Sequence, residues 1–325
     1  MVRRARVPSL AKVNLDLRVL NKRPGGFHEL RTVFQTISLA DTIEIEFEQA
    51  RRRDVAIEDA LGIPDNLIVR AAHAMLGEMR IAARVRLRLE KKIPMGGGLG
   101  GGSSNAAAVI LALPVLAGRH VPLGRMLSMA DALGSDVPFF LEGGTQIGLS
   151  RGEELYRLPD VRGSSVLLVS PGIHVATGPA YAALNRSLTF TESSISINSF
   201  QAFVRALGDG RSAEAASAFS ANDFESVVFR QHPQLRKIAQ GLRRFSGSVR
   251  MSGSGATIFA LFNSALELRR AVEGLSGDRV FRGCRFIEAE LVTRRGYQRL
   301  WRRQLREHLV PLREDSWPPR SRYAQ

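Results

Sequence analysis

Residues Gly96 to Gly102 read Gly-Gly-Gly-Leu-Gly-Gly-Gly and run directly into Ser103-Ser104-Asn105. Glycine inside a helix costs about 1 kcal/mol relative to alanine, so such a run is a loop kept for a purpose. Backbone without Cβ atoms takes positive φ and lets its N–H groups approach a ligand closely. The apolar stretch Ala106 to Leu113 predicts a helix behind the loop. Its N-terminus adds a positive dipole end and unpaired N–H groups that favour a phosphate. The chemistry on offer is nucleotide handling.

Two common forms of such a loop do not fit. Gly96, Gly98 and Gly101 satisfy GxGxxG, but a dinucleotide site also wants an acidic residue about 20 positions on. Positions 116–125 hold no Asp or Glu. A Walker A loop needs Gly-Lys-Ser/Thr, because its lysine reaches the terminal phosphates; here Ser103 follows Gly102. What remains is Pro94 before the glycines and two serines after them. One serine is expected to cap the helix, leaving the other hydroxyl for a phosphate or a magnesium ion.

The surrounding pattern mixes helices and strands without an internal repeat. Alternation predicts strands over 10–20, 30–37, 42–47 and, most regularly, 83–89, the last leading into the glycine loop. Arg23-Pro24-Gly25-Gly26 is a turn signal. Helical spacing covers 66–79, with Asp65 at the N-cap position, and 123–133, which ends at Gly134-Ser135-Asp136-Val137-Pro138. Further strands are expected near 144–149, 165–169, 248–250, 258–262 and 283–291, with helices within 200–207, 233–244 and 266–275. A second small-residue loop, Met251 to Thr257, lies between two of those strands.

Length and composition bound the answer. At 325 residues the chain exceeds the size at which single cores stop growing, so two domains are expected. No apolar run is long enough to span a membrane, and the basic Met1 to Pro8 segment lacks the apolar region of a signal peptide. Cys284, the only cysteine, rules out an internal disulfide and reads as a packed small hydrophobe. Net charge is +15, and 41 of the 46 basic residues are arginine. Such basicity suits nucleic acid or, equally, a polyphosphate substrate. After Val292 nine arginines face three acids. This basic stretch is expected to be a solvated or loosely docked extension whose removal leaves activity intact.

The segment Lys91 to Ala107 resembles the phosphate loop of the GHMP kinases, the superfamily of galactokinase, homoserine kinase and mevalonate kinase. Leu10-Ala11-Lys12-Val13-Asn14-Leu15, Arg23 to Leu30, Asp65 to Ala72, Leu133 to Phe140 and Met251 to Ala256 resemble further motifs of that superfamily, in family order. Together they resemble the branch whose acceptor is 4-diphosphocytidyl-2-C-methyl-D-erythritol, an isoprenoid precursor of the methylerythritol phosphate pathway. The resemblance spans roughly residues 8–292. It implies an α+β, two-domain fold: an N-terminal domain like ribosomal protein S5 domain 2 and a ferredoxin-like C-terminal domain. The expected division is 1–160 for the ATP-binding domain, 161–292 for the second, and 293–325 for the basic extension.

By the same resemblance, Asp136 is the general base toward the substrate hydroxyl and Lys12 stabilises it and the transferring phosphoryl group. Asn66, Pro94, Met95, Gly96, Gly97, Gly98, Leu99, Gly100, Gly101, Gly102, Ser103 and Ser104 hold ATP. Asn14, Phe27, His28, Thr177 and Tyr181 hold the acceptor: Phe27 and Tyr181 sandwich the cytosine, and His28 meets its polar edge. The family commonly has tyrosine where this chain has Phe27, a change that keeps stacking but loses a phenolic hydrogen bond. Gly253, Ser254 and Gly255 would wall the phosphates. Mg2+ is implied with its ligands unassigned. The partner is a small molecule carrying a cytidine diphosphate group, in the cytoplasm, with neither membrane nor nucleic acid expected. Taken singly these residues have plainer readings: a turn cap for Asp136, a strand lysine for Lys12, core packing for Phe27 and Tyr181, a turn residue for His28, a tight turn for Gly253 to Gly255. Another small alcohol, or nucleic acid, remains the competing ligand.

Overall fold

A computed structural model describes residues 1–22, 28–60, 62–161, 164–184, 190–310 and 317–324. The predicted turn at Arg23 to Gly26 and the predicted stacking residue Phe27 lie outside these. The N-terminal lobe comprises β1 (Val2–Lys22), β2 (His28–Gln49), β3 (Asp54–Asp59), α1 (Leu67–Glu78), β4 (Ala83–Glu90), α2 (Gly101–Ala117), α3 (Leu123–Leu133), β5 (Thr145–Ser150) and β6 (Glu154–Arg157). The two strands expected over 30–37 and 42–47 are one continuous strand, β2. It pairs with β1 along its length, with β5 beside Leu30 to Gln35 and β4 beside Thr42 to Gln49. β3 and β4 run parallel, whereas the other strand pairs of this sheet are antiparallel.

Burial explains these elements. In β4, Val85, Leu87 and Leu89 face the core while Arg84, Arg86 and Arg88 alternate outward. Helix α2 is apolar on every side because it is buried on every side, from Ser104 to Leu116. It packs against α1 and β1, and this sets its N-terminus beside β1. Helix α1 begins at Leu67 with Asn66 as N-cap, its side chain accepting from the Ile68 N–H. The cap is therefore Asn66 rather than Asp65, which takes φ +45°.

The second lobe holds β7 (Ser165–Ser170), α4 (Thr177–Leu184), α5 (Phe190–Gly208), α6 (Ala213–Ala216), α7 (Glu225–Gln231), α8 (Pro233–Leu242), β8 (Val249–Met251), β9 (Ile258–Phe262), α9 (Ala265–Ser276) and β10 (Arg285–Glu290). Its antiparallel sheet has the order β10-β7-β9-β8. Counted from β7 this is 4-1-3-2, the ferredoxin-like arrangement. A core shared by both lobes, including Val13, Val33, Leu99, Val166, Phe203 and Phe259, fixes one against the other.

The C-terminal extension departs from expectation. Helix α10 (Arg294–Leu305) buries Tyr297, Trp301 and Leu305 in the N-terminal core, with Trp317 packed beside them. Spacing of four residues puts the three on one face, and Trp301 has no exposed surface. Fully burying each such side chain is worth roughly 1.5–3 kcal/mol. The extension is therefore not solvated or loosely docked. On the opposite, solvent side lie arginines such as Arg299, Arg303 and Arg306.

Candidate active site

The glycine loop meets both lobes. Gly96, Gly98 and Gly100 all take positive φ. At Gly98 (φ +74°) a Cβ would sit 2.0 Å from the carbonyl oxygen of Ser252, in the second small-residue loop. Ser252 Oγ in turn donates to the Gly98 carbonyl at 2.9 Å. Gly100 (φ +69°) is the N-cap of α2, and a Cβ there would meet the Phe140 ring at 2.8 Å and Lys12 Cγ at 3.1 Å. Neither serine caps the helix, contrary to expectation. The αL backbone of Gly100 begins the helix without a side chain, which leaves the first-turn N–H groups available to an anion.

A cleft of about 360 Å³ opens over this loop. Asn66, Pro94, Met95, Gly96, Gly97, Gly98, Leu99, Gly100, Gly101, Gly102 and Ser103 line it, as does Lys91. Ser104 does not: it is buried, and its hydroxyl donates to the Leu10 carbonyl on β1 at 2.7 Å. Of the two serines, Ser103 faces the cleft and Ser104 ties the helix to the sheet.

A second cleft, also of about 360 Å³, shares Gly98, Gly100 and Ser103 with the first. Lys12, Asn14, Asp136, Thr177 and Tyr181 line it. Register shifts in β1 on either side of Lys12 and Asn14 re-aim both side chains into the cleft. Lys12 is only 3 % exposed. Its Nζ lies 2.6 Å from Asn14 Oδ1 and 3.4 Å from Asp136 Oδ2. Asn14 Nδ2 donates to Thr32 Oγ1 at 2.8 Å, fixing the amide's orientation. Asp136 follows α3 in the turn from Gly134 to Val137 and precedes a one-turn helix, Pro138–Leu141, that has no side-chain cap. Its carboxylate, 35 % exposed, faces Lys12 and the open cleft.

A third cleft of about 390 Å³ adjoins the second through Leu30, Ser135, Arg151 and Tyr181. His28 stacks on Tyr181 with ring centroids 5.4 Å apart and planes inclined at 21°. Phe224 supports Tyr181 edge-on at 4.8 Å. Burial, reinforced by Lys22, pushes the His28 imidazole below its ordinary value, so it is neutral at physiological pH. Burial and the charge of Asp136 push the Tyr181 phenol up, keeping it protonated. Thr177 Oγ1 lies 3.0 Å from Ser254 Oγ, which joins the start of α4 to the second small-residue loop.

Several supporting residues escaped sequence reasoning. Asp41, fully buried, accepts from the backbone N–H of Lys92 (2.7 Å) and Ile93 (2.8 Å) and pairs with the Lys91 ammonium. It thereby aims the entry to the glycine loop. Asn222 donates to the Met251 and Gly253 carbonyls at 2.7 and 2.8 Å, shaping the opposite wall. Arg151 lines both the second and third clefts. None carries a local signal; each acts through backbone groups or cavities assembled from distant segments.

A glycine-rich loop at a helix N-terminus, with a lysine–carboxylate pair beside it and the second lobe closing the cleft, is the arrangement of a small-molecule phosphotransferase. Residues 66–144 match the family model for the GHMP kinases N terminal domain and residues 200–277 that for the GHMP kinases C terminal region. The chain is 51 % identical over 326 aligned positions to the 4-diphosphocytidyl-2-C-methyl-D-erythritol kinase of Solibacter usitatus, covering 99 % of this chain and 98 % of that one. The enzyme of the same name from Thermotoga maritima is 39 % identical, over 79 % of this chain and 92 % of its own. A crystal structure of 4-(cytidine 5'-diphospho)-2C-methyl-D-erythritol kinase superposes with a TM-score of 0.68 at 34 % identity, over 90 % and 99 % of the two chains. Homoserine kinase from Cytophaga hutchinsonii shares the fold alone, with a TM-score of 0.72 at 17 % identity over 90 % and 96 %. The chain belongs to the GHMP kinases and, within them, to the 4-diphosphocytidyl-2-C-methyl-D-erythritol kinase family.

Proposed function

We propose that this chain transfers the γ-phosphate of ATP to the tertiary C2 hydroxyl of 4-diphosphocytidyl-2-C-methyl-D-erythritol. The observation that carries the reading is the place of Lys12 and Asp136. They line the Tyr181-lined cleft, which shares Gly98, Gly100 and Ser103 with the glycine-lined cleft, and the Lys12 stem lies against Gly100. ATP lies in the first cleft with its phosphates on the loop; the acceptor enters from the second and third. Phosphoryl transfer depends mainly on in-line positioning and charge neutralisation. Asp136 accepts the proton as the hydroxyl oxygen attacks the γ-phosphorus and the bond to ADP breaks. The Lys12 ammonium, held by Asn14, faces Asp136 at 3.4 Å and stabilises the charge on the transferring group.

Mg2+ suits this donor set as an ion held mostly by the phosphates and water. Among the described residues no cluster of three His, Cys, Asp or Glu is placed to cage a metal, and Ser103 offers an oxygen at the shared wall. Bound there, the ion would neutralise phosphate charge. In the third cleft Tyr181 provides a stacking face for cytosine, a contact worth about 1–3 kcal/mol. Neutral His28 supplies one donor and one acceptor for the polar edge of the base. Phe27, outside the described residues, is proposed from the resemblance alone as a second stacking residue, and Thr177 and Asn14 hold the methylerythritol. The division at residues 160 and 292 follows the two sheets and the final helix. A reaction drawing on the ATP pool belongs in the cytoplasm.

The test is ADP release by purified protein given ATP, Mg2+ and a panel of acceptors. The cytidylyl substrate should turn over while mevalonate and homoserine do not. Turnover of either of those in its place would overturn the assignment.

A further inference from the structure

We infer that Tyr297 and Trp317, in the C-terminal extension, are positioning residues for Asp136; the inference rests on the role proposed above for that aspartate. Immediately after Asp136 the chain forms the single helical turn Pro138–Leu141, then passes through Gly143 and Gly144 into β5. So short a helix leaves most of its carbonyls without intrahelical partners. The extension supplies the partners. Tyr297 Oη donates to the Phe140 carbonyl and Trp317 Nε1 to the Leu141 carbonyl at 2.9 Å, while further along, on β5, the Arg294 guanidinium donates to the Thr145 carbonyl at 2.8 Å. Contact is also steric: a Cβ at Gly143 would lie 2.6 Å from the Tyr297 ring.

The braced segment bears on the reaction centre from two directions. Backward along the chain, Phe140 is four residues from Asp136, joined through the buried Val137 to Phe139. Across space, the Phe140 ring lies against Gly100, the residue that starts α2 and also touches the Lys12 stem. One backbone unit, anchored by Tyr297, thus sets both the carboxylate and the floor of the phosphate loop. Misplacement of reacting groups by about 1 Å can cost about 100-fold in rate. Burial keeps the Tyr297 phenol protonated, so it remains a donor.

The test uses the full chain with Tyr297→Phe, which keeps the ring and removes only the hydroxyl. Trp317→Phe serves as a second variant and Tyr323→Phe as a control at the far end of the extension, where Tyr323 meets His308 at 3.1 Å. Steady-state kinetics with ATP and the cytidylyl substrate are read beside thermal unfolding. The expectation is a kcat lowered about tenfold in Tyr297→Phe, with both KM values within about twofold. Trp317→Phe should fall in the same sense, and Tyr323→Phe should lose melting temperature but not kcat. Unchanged kcat in a folded Tyr297→Phe, or equal kcat loss in Tyr323→Phe, would reduce the extension to a general brace and overturn the inference. Absence of turnover in the unaltered chain would overturn the kinase reading instead, and the inference with it.

Discussion

Lys12 Nζ stands 3.4 Å from Asp136 Oδ2, although the two residues come from the first strand and from a turn more than a hundred positions later. Lys12 is buried and half-exposed Asp136 opens to the cleft, so the pair is asymmetric. The ammonium is a fixed charge, whereas the carboxylate can reach a substrate. That asymmetry supports the proposal of Asp136 as the base.

Asp136→Ala should lower kcat by about 1,000-fold or more while ATP affinity stays within a few-fold, because a base acts in the transition state. Rapid-quench turnover and equilibrium nucleotide binding measure the two quantities. Near-normal turnover would remove Asp136 from the mechanism.

Gly98→Ala places a Cβ 2.0 Å from the Ser252 carbonyl, on backbone already at φ +74°. Both lobes would have to separate locally. Expected is at least a tenfold rise in KM for ATP together with a lower melting temperature. An ATP KM equal to that of the unaltered chain would contradict the clamped loop described above.

Truncation after Val292 removes Tyr297, Trp301 and Leu305 from the N-terminal core. At roughly 1.5–3 kcal/mol for each buried side chain, the melting temperature should fall by about 10 °C or more, if the product folds at all. Calorimetry or circular dichroism decides it. A truncated chain as stable as the whole would restore the looser picture that the arginine content suggests.

Asp16 gives a pH signature. Its carboxyl is buried and, despite the Arg18 guanidinium at 2.9 Å, is pushed up from 3.8 to about 6, because burial outweighs the pairing. The folded chain therefore holds a proton in the range from about 4 to 6 that the unfolded chain has lost. Stability from this group is present below that window and is lost as pH rises through it. Melting curves of the unaltered chain and Asp16→Asn between pH 4 and 7 should show the unaltered chain losing ground to the variant as pH rises. A constant difference would refute the raised value.

Much of this was legible in the chain. The alternation in β4, the apolar run of α2 and the glycine loop are local patterns, and they predict local structure because side-chain periodicity and positive φ are properties of short segments. The motifs in family order likewise marked Lys12 and Asp136. Other features had no local trace. Asp41 binds backbone N–H groups some fifty residues away, and a single carboxylate between two strands looks like any turn residue. The cap fell to Asn66 and not Asp65, and the loop helix began on the backbone of Gly100 and not on a serine, since cap choice depends on φ and ψ that neighbours impose.

The extension draws the line most clearly. Its sequence is dominated by arginine, and composition counts each residue equally, so the three apolar side chains spaced by four were outweighed. Packing weighs them differently: a helix docks by its one apolar face, however charged the other. The sequence by itself determined the family, the glycine loop, and that Lys12 and Asp136 belong to motifs the fold brings beside that loop. Only the tertiary structure decided that the last helix belongs to the first lobe, because that depends on which orphaned carbonyls and which apolar surface the remainder of the chain leaves uncovered.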